Sequence, residues 1–62
     1  MDIDDRIKEV EELISDVCTL EAVADEMQDI EAAKELRRAS RDAFIILVHY
    51  REILKKEKQN VA

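Results

Sequence analysis

The chain reads as an all-α protein, a helical hairpin of two long antiparallel helices that dimerises into a four-helix bundle. Three observations predict this. The 62 residues include no glycine and no proline, so nearly every position suits a helix interior. Apolar residues return at alternating spacings of three and four along most of the chain, which is the period of a helix and not of a strand. In residues 43–50, Ala-Phe-Ile-Ile-Leu-Val-His-Tyr, apolar groups point to every side of a helix, and a helix that is apolar all round has to be covered all round. One neighbouring helix cannot do that. The stretch calls for a partner helix within the chain and a second copy, or another protein, outside it.

Size points the same way. Residues 1–62 make a single domain, and at this length one core rarely supplies more than about 3–5 kcal/mol without a disulfide, a metal or oligomerisation. Cys18 is the only cysteine and His49 the only histidine, too few for an internal bridge or a structural zinc site, so oligomerisation remains.

The first helix is expected over about residues 2–27. Asp2, Asp4 and Asp5 sit where the helix dipole favours negative charge. Ile3, Val10, Val17 and Ala24 form one column seven residues apart, and Leu13, Leu20 and Met27 form another, interrupted at its start by Arg6. Ile7 and Ile14 widen the stripe. Asp4, Lys8, Glu11, Glu12, Ser15, Thr19 and Glu26 make the wet face.

The chain has to turn at about residues 28–29, because one continuous helix would be a rod of about 90 Å. Asp29 is a good N-cap and Glu31 suits the first turn that follows; Asp25 with Gln28 is the other candidate cap. The second helix is expected over about residues 30–58, with Lys55, Lys56 and Lys58 at its negative end and residues 59–62 as a frayed tail. Its main stripe is Ala32, Leu36, Ala39, Ala43, Ile46, Tyr50 and Ile53, expected to face the first helix and the dimer axis, flanked by Ala33, Ser40, Leu47 and Leu54. The expected dimer core is Leu13, Val17 and Leu20 with Ile46, Leu47, Tyr50, Ile53 and Leu54.

The feature most informative about function is a second stripe on the second helix: Lys34, Arg37, Arg41, Phe44, Val48, Arg51, Lys55 and Lys58. It is basic at both ends, with Phe44 and Val48 in the middle. One reading makes it a docking strip for an acidic protein, with Phe44 as apolar anchor; a second makes it a contact for a phosphate backbone. The third has the cations pairing with the acidic flank of the first helix while Phe44 and Val48 extend the self-association surface. Nucleic acid is the less favoured partner, since the net charge of −6 repels it on average.

In plan the chain is similar to the Rop family of plasmid copy-number regulators: comparable length, an acidic total, two helices with a turn near the middle. The resemblance implies a dimer that binds paired RNA loops through one face of its bundle. It is one of outline, so no binding residue is carried over.

Enzyme signatures are missing. There is no Glu-x-x-His pair of the di-iron bundle kind, no glycine for a phosphate loop or a calcium loop, and carboxylates beside Cys18 discourage a reactive thiol. His49 reads as a flank histidine, with a pH switch at the dimer interface as the sharper alternative. No cofactor or metal is expected. The amino terminus lacks the basic flank and apolar core of a signal peptide, and the apolar run 43–48 is far short of the ~20 residues that span a bilayer. The expectation is therefore a small, non-enzymatic, cytoplasmic interaction module or accessory regulator, of the kind phages and plasmids carry, with a Rop-like RNA-binding regulator as the alternative.

Overall fold

The computed structural model describes residues 2–60. Two helices account for nearly all of them: α1, Ile3–Glu26, and α2, Ile30–Asn60, packed against each other as an antiparallel hairpin. The pair measures 50 × 15 × 13 Å and has a radius of gyration of 14.6 Å, against about 11 Å for a compact domain of this length. It is one layer of helix thick. α2 continues through Asn60, so Gln59 and Asn60 of the expected frayed tail are helical, while residues 61 and 62 lie outside the described residues.

The turn is made without glycine. Met27 leaves α1 in an extended conformation (φ −73°, ψ 139°), and its amide donates to the Ala24 carbonyl at 3.2 Å, closing the last turn. No described residue has a positive φ, so no position between the helices needs glycine's freedom. Asp29 then starts α2: its Oδ1 accepts from the amides of Glu31 at 3.1 Å and Ala32 at 3.2 Å, and its carbonyl accepts from Ala33 at 2.9 Å. Two of the amides that a helix start leaves unpaired are thereby satisfied.

Where the helices meet, the packing differs from the expected register. The seam on α2 is Ala33, Ser40, Leu47 and Leu54, the column expected only to flank it; Ala33, Ser40 and Leu54 are buried and Leu47 half-buried. The whole helix is turned by one residue, about 100°. On α1 the buried edge is Ile7, Val10 and Ala24, with Ile3, Ile14 and Val17 half-buried. Towards the open end Ile7, Val10 and Leu54 form a core, with Ile3, Ile14 and Leu47 against it. Towards the turn the seam narrows to Ala24, Ala33 and Ser40, whose short side chains let the backbones approach. Ser40 is buried but not orphaned, because its Oγ donates to the Leu36 carbonyl at 2.7 Å.

Ion pairs mark this register at both ends of the hairpin. Arg37 donates to Asp25 at 2.8 Å near the turn, and Lys58 pairs with Asp4 near the open end. Both pairs lie on the same side of the seam and fit this rotation; being exposed they contribute little stability, and the rotation also sets the small residues Ala33 and Ser40 in the seam with Ala24.

Replacing Asp29 by Ala is expected to lower stability by about 0.5–2 kcal/mol and Asp29→Asn by much less. Urea titrations followed by circular dichroism check this; equal losses for both variants would remove the cap from the account of the turn.

Candidate functional site

A side-by-side pair of helices has two broad sides, and here they differ in chemistry. Columns seven residues apart run along each helix, so the residues one step to either side of the seam fall on opposite sides of the hairpin. Grooves in the surface identify which columns share a side. Arg6, Glu9, Val10 and Leu13 of α1 line one groove together with Tyr50 of α2. Asp4 and Ile7 line another with Lys55, Lys58 and Gln59.

The first side is apolar. It carries Leu13, Leu20 and Val23 from α1 and Leu36, Ala39, Ala43, Ile46, Tyr50 and Ile53 from α2. Large groups on it stand in water: Ile46 is 66% exposed, Leu13 50%, Ile53 47% and Tyr50 41%. Of the residues expected to build the dimer core, Leu13, Leu20, Ile46, Tyr50 and Ile53 are exposed and gathered on this side. Val17, Leu47 and Leu54 lie in the seam between α1 and α2 and serve the hairpin itself.

The second side is ionic. The strip Lys34, Arg37, Arg41, Phe44, Val48, Arg51, Lys55 and Lys58 runs along α2 opposite Asp4, Glu11, Cys18 and Asp25 of α1, beside the seam and not on a remote face. Arg37 and Lys58 are engaged with Asp25 and Asp4. Arg51 is half-buried; its Nε sits 3.6 Å from its neighbour Glu52, outside hydrogen-bond reach, and finds no hydrogen-bond partner among the described residues. Lys34, Arg41 and Lys55 are exposed, with no carboxylate within ion-pair distance among the described residues. Phe44 is 40% exposed and Val48 half-buried, so the centre of the strip is apolar and reachable.

The cations are densest near the turn. Lys34, Arg37, Arg38 and Arg41 line a shallow groove of about 240 Å³ together with Asp42. Arg38 and Asp42 are not among the residues that the sequence pattern singles out, because each stands one residue beyond a member of the strip, Arg37 and Arg41. Four cations within two turns of one helix are a place for an anionic group, with Asp25 holding Arg37 in position. The groove is open surface, with no buried nucleophile or acid beside it.

Cys18 is exposed on this ionic side and His49 is exposed at the outer edge of the apolar side. Among the described residues no three His, Cys, Asp or Glu side chains come together as a metal site, and no helix is long and apolar enough to cross a membrane. No family model matches the chain, and no curated protein or solved structure matches it either.

Asp4 accepts a hydrogen bond from the Lys58 ammonium and adds its charge, raising that group above its ordinary value of 10.5. Lys58 gains this partner only on folding, so the stability involved is present in full below pH 10.5 and is lost as pH rises through the raised folded value. At low ionic strength the melting temperature of wild type should exceed that of Lys58→Met at pH 8, with the gap closing above pH 10.5. A gap that persists unchanged there would mean that the lysine stem, and not its charge, does the stabilising.

Proposed function

We propose that this protein is a small, non-enzymatic interaction module that self-associates through the apolar side of its hairpin and docks an acidic macromolecule on the basic strip of α2. The observation that carries this reading is the division of chemistry between the two sides. An exposed apolar strip running most of the length of a hairpin is a surface for association. Covering it with another copy leaves Lys34, Arg37, Arg41, Phe44, Val48, Arg51 and Lys55 facing outward. A central apolar anchor ringed by arginines is the composition expected of a docking surface, where aromatic and arginine side chains carry most of the binding energy. The role that suits such a module is that of an accessory regulator of the phage or plasmid kind acting in the cytoplasm, and the favoured partner is an acidic protein.

One observation favours RNA as the alternative, in the manner of a Rop-like regulator. The groove lined by Lys34, Arg37, Arg38 and Arg41 concentrates positive charge within two helical turns of an otherwise acidic chain.

Light scattering on a sizing column is expected to give the mass of two chains for wild type, Arg41→Glu and Phe44→Ala, and of one chain for Ile46→Glu. Affinity capture from the native cell should then yield proteins that bind wild type and are lost, at least tenfold, with Arg41→Glu and with Phe44→Ala. Equal recovery on all three would overturn docking on the strip, and monomers from Phe44→Ala would assign that residue to self-association. Gel shifts with structured RNA that weaken steeply with salt and with Arg41→Ala would replace the protein partner by RNA.

A further inference from the structure

Resting on the docking proposed above, we infer that the partner of the basic strip is an acidic amphipathic helix, seated on Ile45 together with Phe44 and Val48. Ile45 is 65% exposed. Successive residues of a helix stand about 100° apart round its axis, so Ile45 points nearly opposite Leu47 in the seam and about 100° away from Ile46 on the apolar side. Neither surface reaches it. It belongs instead with the centre of the strip: Phe44, Val48, Arg41 and Ile45 follow one another round α2 within an arc of about 100°. That is the width of stripe a helix offers to a packed neighbour.

The charges around this seat select an acid. Towards the turn stand Lys34, Arg38 and Arg41, and towards the open end Lys55, all exposed and with no carboxylate in ion-pair distance among the described residues. The nearest carboxylates of α2 are Asp42, at the outer edge, and Glu52, 3.6 Å from Arg51. This corner of an otherwise acidic chain therefore keeps a positive surplus. On the other edge of the strip run the acids of α1, Asp4, Glu11 and Asp25, which repel a negative partner from the groove between the helices. The partner is displaced towards the corner of α2 that faces away from α1, and Ile45 is the large apolar group on that corner.

Shape selects a helix. Peptides dock by adding a strand to a sheet edge, by laying a proline-rich segment in an aromatic-lined groove, or by packing a helix. The described residues form two helices and no strand, and of the two aromatic residues Tyr50 lies on the apolar side, which leaves Phe44 alone here. What this corner offers is a straight ridge, about 36 Å from Lys34 to Lys58 at 1.5 Å per residue. Its cations and apolar groups recur at spacings of three and four, the period of a second helix lying alongside. A phosphate backbone would satisfy the cations and leave Ile45 in water, because an aliphatic group has neither a donor nor a ring face to give it.

The test uses a fluorescent synthetic peptide of about 24 residues, the length of the ridge. Its leucines stand at alternating spacings of three and four through the middle, with glutamates beside them. A control of the same composition has leucine at every second residue. In anisotropy titrations wild type should bind the first peptide at least tenfold tighter than the control, and mixing should add helical circular dichroism. Ile45→Ser should lose at least tenfold of that affinity with its mass in light scattering unchanged. Equal binding of the two peptides, or binding of neither, would overturn the helical partner. If Arg41→Glu loses the peptide and Ile45→Ser keeps it, docking on the strip stands and the seat on Ile45 is wrong; full binding by both variants would overturn the docking itself. A mass halved by Ile45→Ser would assign Ile45 to self-association. Structured RNA that displaces the peptide and binds wild type and Ile45→Ser equally would replace the helix by a phosphate backbone.

Discussion

Two helices lying side by side can hide only one narrow strip on each, and this limit governs the rest of the molecule. The apolar stripes of α1 and α2 are each wider than one seam. Ile7, Val10 and Leu54 occupy the seam together with the small residues near the turn, and everything broader is left on a side of the hairpin. Which part is left over is set by the rotation of α2, and that rotation brings Arg37 to Asp25 and Lys58 to Asp4 at the two ends. Had α2 been turned by one residue, Ile46 and Ile53 would lie against α1 and Lys58 would lose Asp4.

The same rotation separates two kinds of chemistry. On one side the exposed Leu13, Leu20, Ile46, Tyr50 and Ile53 are gathered, with Arg6 and Glu9 beside Leu13 and Tyr50. On the other, the carboxylates of α1 face the cations of α2 and neutralise part of them. Arg37 and Lys58 are held in place by this, while Lys34, Arg38 and Arg41 keep their charge available. A strip of eight evenly spaced residues thus becomes, in three dimensions, a braced frame around a smaller groove near the turn.

The turn illustrates how a local choice serves this arrangement. A hairpin of long helices commonly ends its first helix with a left-handed glycine. Here Met27 exits in an extended conformation and Asp29 caps the next helix within two residues. The connection is short and held by hydrogen bonds, so it fixes which columns of α1 and α2 fall on the same side. Replacing glycine by residues restricted to negative φ also lowers the conformational freedom of the unfolded chain.

The amino-acid sequence by itself determined the helical class, the hairpin and the surplus of apolar surface, because these follow from periodicity and from the absence of glycine and proline. Asp29 was legible as a cap, since its side chain needs only the amides two and three residues on. The tertiary structure alone decided the register. Ala33, Ser40, Leu47 and Leu54 differ from the neighbouring column by a single residue step, and both columns satisfy the same helical period. Hydrophobicity favours the column with Ile46, Tyr50 and Ile53; close approach at Ala24, Ala33 and Ser40 and the distant pairs Asp4 with Lys58 and Asp25 with Arg37 favour the other. Those contacts join residues far apart in the chain, and no local pattern in either helix records them.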